Sequence, residues 1–363
     1  MRPALFFCAA CTMLAISCQC SLSPLQSDKE IDIVSYNVHN LFDAEESGSE
    51  YPEFKPSKGV WTKELYARRL SNAVRAVKSF AGAGRAADTR ASVPDILCLQ
   101  EIENQQVLAD LAERFGRGVY AYWAIGGPQN GIIHSGVLSR FPIVTLRTHS
   151  ILDAWGFGPT RDILELEVKC GDMGNLVLFV CHWKSKMEGA KETEPARRAA
   201  AALLADRIRS IEADRPEIPI VVCGDFNESP DEYLRVERAY PTGIMPLGVG
   251  AQSMSPEGAP LYVSNSWNAV ETVRTDAHQV VLYNVWSETP GGFSIAYQEA
   301  REQFDSFFLS APCHNGLGIE FKEFNVADAP ELFSEDGTPF EWRGSQGFSD
   351  HLPVRLVLSG KSE

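Results

Sequence analysis

The feature that most constrains the fold of this chain is a series of short apolar runs that each lead into polar residues. Five of these runs end in side chains that could bind a metal ion or move a proton. They are Asn37 in "SYNVHNLFD", Glu101 in "LCLQEIEN", His182 in "FVCHWKSK", Asp225 with Asn227 in "CGDFNESP", and Asp350 with His351 in "GFSDHLPV". Short apolar runs are typical of buried strands. We therefore expect these motifs at the ends of strands.

Other apolar patterns predict the elements around these motifs. Strands are predicted at residues 31–38, 95–100 and 304–310, in four runs between residues 135 and 226, and in the final segment, 347–359. Helices are predicted at residues 62–80, 104–115 and 194–213. Residues 241–265, rich in Gly, Pro and Ser, are predicted to be a loop insertion. Because several strands follow one another directly, two packed sheets flanked by helices fit better than a repeated βαβ array.

The N-terminal segment resembles a leader rather than part of the fold. Residues 1–20 are predicted to be a signal peptide and residues 21–30 a linker, which leaves residues 31–359 as the folded domain. An apolar run of about a dozen residues suits a signal peptide and is short for a membrane span. Small residues before Cys18 are typical of a bacterial lipoprotein leader lipidated at that cysteine. An ordinary cleaved secretion signal is the alternative, and either leader directs the chain to the cell envelope or the extracellular space.

The net charge of the chain limits the ways in which it could bind nucleic acid. The formal net charge of −15 argues against a broad basic face for nucleic acid. It leaves open a local basic groove, or a phosphate held through a metal ion.

The cysteines after the leader are odd in number and lack metal-type spacing. We expect Cys98, Cys181 and Cys223 to be small buried core residues, and a Cys170–Cys181 disulfide is a less favoured possibility.

Each polar motif has a purely structural explanation when it is taken alone. Asn37 could cap a turn, Glu101 could cap the helix that follows, and His182 could be a core histidine. Together these explanations are costly, because buried carboxylates destabilise a fold unless they are paired or bound to a metal. Oxygen ligands from Asp, Glu and Asn suit a hard cation such as Mg²⁺, with Mn²⁺ or Ca²⁺ as alternatives. The sequence has no cluster of His and Cys residues that would indicate a zinc site.

The ordered set of motifs resembles the endonuclease/exonuclease/phosphatase family, whose fold is that of deoxyribonuclease I. The segments that carry the resemblance are "IVSYNVHNLFD", "DILCLQEIEN", "CHWKSK", "CGDFNESPD", "FDSFFLS" and "GFSDHLPV", with weaker matches in "VWTKELYARRLSNAVRAV", "TRDILELEV" and "EPARRAAAAL". The resemblance covers residues 31 to 358. It implies an α/β (α+β) fold, namely a four-layer α-β-β-α sandwich of two mixed sheets flanked by helices. It also implies a secreted or lipid-anchored bacterial member.

The resemblance implies a metal site and a base. Glu101 would be the principal Mg²⁺ ligand, with Asn37 beside it and Asp350 in the same shell. The metal would polarise a phosphate oxygen as a Lewis acid. His351 would be the general base that accepts a proton from the attacking water. Asp305, in "FDSFFLS", would hold the other imidazole nitrogen and fix its tautomer.

The resemblance also implies contacts to the substrate. Asp225 and Asn227 would position the water and the phosphate, as both would face the same side of a strand. His182 would donate a hydrogen bond to the phosphate as negative charge develops. Arg161, in "TRDIL", would clamp the phosphate, although a surface ion pair is an equal alternative.

One segment departs from the family pattern. Related bacterial members often have an acidic "GID" step before a strand that contains "LLYR", whereas this chain has "PQNGIIHSGVLSRFPI". Asn130 and His134 stand where an Asp-centred arrangement is expected. The departure concerns the substrate-side contacts rather than the metal or the base, and neither residue is assigned a role.

The sequence predicts a metal-dependent phosphoesterase that hydrolyses phosphodiester bonds by in-line attack of water. Nucleic acid is the first choice of substrate, because many family members act on it. A basic run after His182 could contact such a polyanion or form a solvated helix face; it comprises Lys184, Lys186, Lys191, Arg197 and Arg198. A phosphatase or a phospholipid phosphodiesterase is the alternative, and a non-catalytic surface binding protein is less favoured. No protein partner is expected, so the chain is predicted to be a monomer.

Overall fold

The computed structural model describes residues 29–81, 93–127, 131–151, 161–248, 261–273 and 280–360. The predicted lipidation site Cys18, most of the predicted linker and Asn130 lie outside these residues. Within the described ranges, no helix is both long and apolar enough to cross a lipid bilayer.

The described part of the chain is dominated by strands, with long helices at only a few points. The strands are β1 (Lys29–Leu41), β2 (Ile96–Ile102), β3 (Tyr122–Gly126), β4 (His134–Ser139), β5 (Ile143–His149), β6 (Ile163–Lys169), β7 (Asn175–His182), β8 (Ile220–Asp225), β9 (Ile244–Pro246), β10 (Leu261–Ser264), β11 (Val281–Asn284), β12 (Ile295–Tyr297), β13 (Ala300–Glu302), β14 (Asp305–Leu309), β15 (Ile319–Val326) and β16 (Val354–Gly360). The helices are α1 (Lys63–Ala81), α2 (Gln105–Phe115), α3 (Ala190–Asp214), α4 (Glu232–Arg235) and α5 (Trp267–Val273).

The long strands form two mixed sheets. The first sheet has the order β15-β16-β1-β2-β4-β3, and the second has the order β5-β6-β7-β8-β14-β11-β10-β9. In the first sheet β1 and β2 are parallel, and in the second β7 is parallel to β8 while β9, β10 and β11 are parallel to one another. The short hairpin β12-β13 stands apart from both sheets. This mixture explains why consecutive strands are so often joined without a helix.

Three apolar clusters hold the layers together. The central cluster contains side chains of both sheets, such as Ile33 and Cys98 from the first and Val221 and Phe307 from the second. The outer face of the first sheet packs against α1 and α2, and the outer face of the second packs against α3. The predicted four-layer α-β-β-α sandwich is therefore confirmed.

Two boundaries and one loop differ from the sequence-based prediction. β1 begins at Lys29, two residues before the predicted domain start, and β16 continues to Gly360. The predicted loop insertion at residues 241–265 was wrong at both ends, because β9 and β10 lie there. These strands are short and pair with each other and with β11 across long stretches of sequence. A local apolar pattern does not reveal such pairing.

The five described cysteines, Cys98, Cys170, Cys181, Cys223 and Cys313, are free and buried. The possible Cys170–Cys181 disulfide is therefore absent, and the prediction of small buried core cysteines is confirmed. Burial raises the pKa of the Cys170 thiol to about 12, so this thiol stays protonated at neutral pH.

The directions of the strands bring the polar motifs to one edge of the sandwich. The carboxyl ends of the parallel pairs β1–β2 and β7–β8 carry Asn37, Glu101, His182 and Asp225. Since β14 is antiparallel to β8, it begins at this same edge, where Asp305 lies opposite Asp225.

Candidate active site

Asn37 joins the acidic residues of the two sheets. Its side-chain amide nitrogen donates to Glu101 Oε1 at 3.1 Å and to Asp225 Oδ2 at 3.0 Å. Its Oδ1 accepts from the backbone N–H of His39 at 2.9 Å. Asn37 is fully buried, so this amide fixes the spacing of two carboxylates that come from opposite sheets.

Glu101 lies in a strained position within β2. Its backbone φ is +65°, in the left-handed region that side-chain-bearing residues seldom occupy. The carboxylate accepts a hydrogen bond from the backbone N–H of Asn40 at 2.9 Å. Strained backbone persists where surrounding structure over-determines it, and it is concentrated at functional sites. The suggestion that Glu101 caps the next helix is not borne out, because the Asn104 side chain accepts from the backbone N–H of Val107.

Glu101, His182 and Asp225 form a group that could hold a metal ion. One ligand atom from each lies within 4.8 Å of the others. His182 Nε2 is 3.5 Å from Glu101 Oε1 and 3.6 Å from Asp225 Oδ2, and this buried nitrogen has no hydrogen-bond partner. Burial, together with the charges of Arg161 and His351, holds the pKa of His182 well below its usual value. In a neutral imidazole, Nε2 can bind a cation when it carries no proton, or donate a hydrogen bond to an anion when it is protonated.

This group differs from the predicted ligand set. Of the three predicted ligands, only Glu101 belongs to it. Asn37 presents its amide nitrogen rather than its oxygen to the two acids. Asp350 Oδ1 is 4.0 Å from His351 Nε2, the ring nitrogen that also faces Asp225, and 3.5 Å from His39 Nδ1. His182 and Asp225, which were predicted to contact the substrate, belong to the group with Glu101.

His351 and Asp305 form a buried carboxylate–imidazole pair. His351 Nδ1 is 2.6 Å from Asp305 Oδ2, and His351 Nε2 points towards Asp225 Oδ2 at 3.9 Å. Burial lowers the pKa of His351, but the carboxylates of Asp305, Asp350 and Asp225 outweigh burial and raise the pKa well above its usual value. One ring nitrogen is thereby fixed, and the other faces the metal-binding group.

A tight turn after β8 brings Asn227 against Asp225. The strand ends at Asp225, and Asn227 has a left-handed φ of +50°, so strand alternation is not what aligns the two side chains. The Asn227 backbone N–H donates to Asp225 Oδ1 at 2.8 Å, and its amide donates to Asp225 Oδ2 at 3.1 Å. Gly224 precedes the turn with φ +132°, where a Cβ would lie 1.9 Å from the Cys181 carbonyl oxygen. Glycine is therefore required at this position.

Arg161 lies at the site rather than in a distant surface ion pair. Its guanidinium donates to the Trp183 carbonyl oxygen at 2.7 Å, and the side chain lines a cavity of about 410 Å³ together with Glu101, Asp225 and His351. The cavity is also lined by residues to which no role was assigned from the sequence. They are His39, Asn40, Tyr51, Glu53, Ile133, Ser185, Met187, Ile295, Tyr297 and Phe304.

His39 is a residue at the site to which no role was assigned from the sequence. Its backbone φ of +54° is left-handed, and its Nδ1 is buried without a hydrogen-bond partner, 3.5 Å from Asp350 Oδ1. It follows Asn37 by two positions in "SYNVHNLFD". Its position within that motif was the one signal in the sequence that could have identified it.

The basic run does not form a continuous cationic surface. Lys186 is buried and its Nζ lies 2.7 Å from Glu232 Oε1, and Arg197 is fully buried against Glu194 and Glu228. These two cations stabilise the turn after β8 and cannot contact a polyanion. His134 lies at the start of β4, where its Nδ1 is 2.6 Å from the Glu103 carbonyl oxygen, and it does not line the cavity.

A sequence model of the Endonuclease/Exonuclease/phosphatase family matches residues 32–238. This chain belongs to that family. The match includes Asn37, Glu101, His182 and Asp225. Asp305 and His351 lie beyond it, and the fold places them beside the other four. No curated protein is similar enough in sequence to count as a match.

Solved structures agree with the family assignment at the level of the fold. TDP2 from Caenorhabditis elegans has a TM-score of 0.52 at 16% identity, covering 92% of this chain and 75% of that one. An endonuclease/exonuclease/phosphatase family protein from Bacteroides thetaiotaomicron has a TM-score of 0.54 at 16% identity, covering 92% of this chain and 96% of that one. A mannosyl-6-phosphatase from the same bacterium has a TM-score of 0.52 at 16% identity, covering 90% and 99%. At this identity the likeness shows the deoxyribonuclease I-like fold alone.

Proposed function

We propose that this family member is a metal-dependent hydrolase of phosphoric esters that uses direct attack of water. One observation carries the proposal. The imidazole of His351, held at Nδ1 by Asp305, directs its free nitrogen towards a group of metal-ligating atoms from Glu101, His182 and Asp225. A base and a cation site that face each other across a cavity suit the activation of a water beside a bound phosphate.

The residues present suit a hard divalent cation. Two carboxylates from different sheets converge without a Lys or Arg partner, and the buried His182 Nε2 lacks a hydrogen bond. Burial raises the pKa of Asp225, the charges of Asp305 and Glu101 add to this increase, and the charge of His351 opposes it. The resulting pKa is about 7. A bound Mg²⁺ would offset this cost, and it would polarise a phosphate oxygen and stabilise charge on it. Mn²⁺ and Ca²⁺ have the same preference for oxygen ligands.

Residues of the chain would transfer the proton, bind the phosphate and position the acidic groups. His351 Nε2 accepts a proton from the attacking water, and Asp305 stabilises the imidazolium that forms. Arg161 would donate to phosphate oxygens and supply positive charge, and Asn227 would help to position the phosphate, since both side chains line the cavity and both donate to the Trp183 carbonyl oxygen. Asn37 keeps Glu101 and Asp225 at a fixed separation. Asp350 contributes negative charge near His351 Nε2 and raises the pKa of His351.

The charge of the cavity favours a small phosphoester over a long nucleic acid. In the described part of the chain, its lining includes the acids Glu53, Glu101, Asp225 and Asp350 and a single Lys or Arg side chain, Arg161. Nucleic acid binding depends on neutralising several phosphates. Two cations of the basic run are buried in ion pairs and are unavailable for that purpose. The mannosyl-6-phosphatase with the same fold is a precedent for action on a small phosphate ester.

A nuclease remains the second candidate. The structure of Danio rerio TDP2 with a single-strand DNA product shares the fold, with a TM-score of 0.50 at 14% identity over 91% of this chain and 99% of that one. The test is a parallel assay of plasmid nicking, single-stranded DNA, a panel of phosphomonoesters and a panel of phospholipids, each with Mg²⁺. We expect hydrolysis of phosphomonoesters or small diesters. Efficient cleavage of DNA at physiological salt would favour the nuclease instead.

We also propose that the mature protein works outside the cytoplasm, attached through a lipid on Cys18. The support is the apolar leader and the small residues that precede this cysteine. Labelled fatty acid should be incorporated into the full chain in a bacterial host and lost in Cys18→Ser. Incorporation that survives this substitution would exclude Cys18 as the lipidated residue.

A further inference from the structure

A second cavity lies on the same edge of the sandwich as the candidate active site. Its volume is about 560 Å³, within the range of about 300–1,000 Å³ that is common for small-molecule sites. Its lining includes Pro246, Ser264 and Asn284, which are the last residues of the parallel strands β9, β10 and β11. In sheets with helices, ligands are commonly bound beyond the carboxyl ends of parallel strands.

The two cavities are neighbours. Phe304 lines the candidate active site and Gln303, the preceding residue, lines the second cavity. On the other side, Asn227 lines the first cavity and Pro230 lines the second. Residues close together in the chain therefore line the two cavities.

The second cavity is polar but almost without charge. Of the residues that the structure describes, no Lys or Arg lines it, and the one acid, Asp231, is paired with Arg235 at 2.6 Å. The remaining polar groups are amides and hydroxyls from Ser264, Asn265, Asn284, Ser287 and Gln303. A phosphate would find no positive charge here, whereas an uncharged group with several hydroxyls would find donors and acceptors.

Two of the amides are already held in place. Asn284 Nδ2 donates to Asn265 Oδ1 at 2.9 Å, and Asn284 Oδ1 accepts from the Trp286 backbone N–H at 3.3 Å. Among the described residues, the side-chain nitrogen of Asn265 has no hydrogen-bond partner, and Asn265 is exposed. An ordered, unoccupied donor of this kind loses little conformational freedom when a ligand binds.

The lining also discriminates between rings. Trp286 is its one aromatic residue, and this side chain is only 3% exposed and packs edge-to-face against Phe324. The described residues of the lining therefore offer no aromatic face for a nucleobase to stack on. A hydroxyl-bearing ring could make hydrogen bonds with the polar side chains and apolar contacts with Leu234, Pro246 and Val263.

We propose that this second cavity is a subsite for an uncharged, hydroxyl-bearing part of the substrate, such as a sugar ring. The assignment rests on the proposed function, because it places the sugar beside the phosphate that the active site would cleave. It narrows the substrate class to phosphorylated carbohydrates.

The first experiment measures binding without turnover. Methyl α-D-glucopyranoside, methyl α-D-mannopyranoside and methyl β-D-galactopyranoside are titrated into the full chain in the presence of a chelator, and binding is followed by calorimetry or ligand-observed NMR. At least one glycoside should bind, and Asn265→Ala should weaken its binding about three- to tenfold through loss of one hydrogen bond. Asn268→Ala is the matched control, since Asn268 is an exposed asparagine on α5 that does not line the cavity. Absence of binding to all three glycosides, or equal binding to wild type and Asn265→Ala, would overturn the proposal.

The second experiment separates the subsite from the active site. The Michaelis constants for hexose phosphates and for p-nitrophenyl phosphate are compared in wild type and Asn265→Ala. The substitution should raise KM for the sugar phosphate about three- to tenfold and leave the constants for p-nitrophenyl phosphate unchanged. Equal effects on both substrates would contradict a sugar subsite while leaving the hydrolase intact. Glycoside binding without hydrolysis of any phosphoester would instead support the subsite and contradict the proposed function.

Discussion

The buried environment of Asp225 disfavours the ionised form of its carboxyl group. It is fully buried among Glu101, Asp305 and His351, and its pKa is raised to about 7. Its ionised form therefore lowers the stability of the fold at neutral pH and above, in the absence of a cation. A residue retained at such a cost is expected to serve the reaction rather than the fold.

Asp225→Asn should separate these two effects. The substitution keeps the size of the side chain and removes the buried charge, so the melting temperature above pH 7 should be equal to or higher than that of wild type. Turnover should fall about 100-fold or more, because the cation site and the turn at Asn227 both depend on this carboxylate. Asp206→Asn, which alters an exposed ion pair with Arg209 on α3 and lines neither cavity, is the control. Retained turnover in Asp225→Asn would show that the carboxylate is structural.

The pair of His351 and Asp305 predicts a shift in the pH profile. A general base must be unprotonated, so activity should rise with pH through the pKa of His351. Asp305 raises that pKa. Asp305→Asn should therefore move the acidic limb of the kcat profile to lower pH, and it should lower the plateau about 10- to 1,000-fold because the imidazole loses its orientation. An acidic limb that stays in place would show that Asp305 does not act through this imidazole.

Sequence patterns predict the reacting residues better than their surroundings. The motifs indicated Glu101, His182, Asp225 and His351, because each follows a strongly apolar strand or precedes one. Which of these residues would hold a metal ion and which would contact the substrate does not follow from the motifs, since it depends on which side chains from opposite sheets come within a few ångströms. His39 and the cavity walls were missed for the same reason.

At the scale of elements, α1 fixes two of the loops that form the site. The buried guanidinium of Arg69 donates to the carbonyl oxygens of Val38 and His39, both at 2.5 Å, and to that of Phe348. Asn72, one turn along, donates to the Gly347 carbonyl oxygen at 2.7 Å. These contacts connect the end of β1 to the segment that carries Asp350 and His351.

Arg69→Met should weaken both loops at once. It leaves three carbonyl oxygens without a donor, and we expect a loss of about 3 kcal/mol in the free energy of unfolding. The kcat should also fall, because Asn37 and His351 lose their relative position. Arg68→Ala is the matched control, since Arg68 is an exposed residue that donates to the Ser345 carbonyl oxygen. Urea denaturation that gives the same midpoint for both variants would contradict this role of Arg69.

A second prediction at this scale concerns Glu165 on β6. Its buried carboxylate contacts Arg147 and His149 on β5 and Arg207 on α3. Although burial raises the pKa of Glu165, the hydrogen bonds from Arg207 and His149 outweigh burial and lower the pKa overall. The ionised form therefore stabilises the fold above the ordinary carboxyl pKa, and this contribution is lost as pH falls through the lowered value.

Glu165→Gln should reduce the free energy of unfolding by about 2 kcal/mol at pH 7. The difference from wild type should shrink as the pH falls below about 4, where the wild-type carboxylate becomes protonated. Denaturation curves at several pH values measure this difference. A constant difference across the range would show that charge is not its source.

Elements were predictable where the local pattern is strong. The apolar runs of β2, β7 and β8 and the helical spacing of α1 and α3 predict these elements from the sequence. β9, β12 and β13 have three residues each; β9 pairs with the distant strand β10, and β12 and β13 pair with each other in a short hairpin. Such strands leave no periodic signal in the sequence.

At the scale of the whole molecule, neither sheet contains a complete site. The first sheet and its loops supply Asn37, Glu101 and His351, and the second supplies His182 and Asp225. The order of the motifs along the chain was sufficient to indicate the family and its layered fold. The seam between the sheets, and therefore the shape of the cavities that select a substrate, depends on long-range packing that the order of motifs does not specify.

The most direct test of metal-assisted hydrolysis by His351 is the rate of cleavage of bis(p-nitrophenyl) phosphate as a function of Mg²⁺ concentration. The assay compares wild type with His351→Ala, and each protein is also measured in excess chelator. Wild-type activity should saturate with Mg²⁺ and fall to the level of the uncatalysed reaction in chelator. His351→Ala should be at least about 100-fold slower at saturating Mg²⁺ while its melting temperature still rises on binding the metal. Full activity of the wild type in chelator, or full activity of His351→Ala with Mg²⁺, would contradict the mechanism.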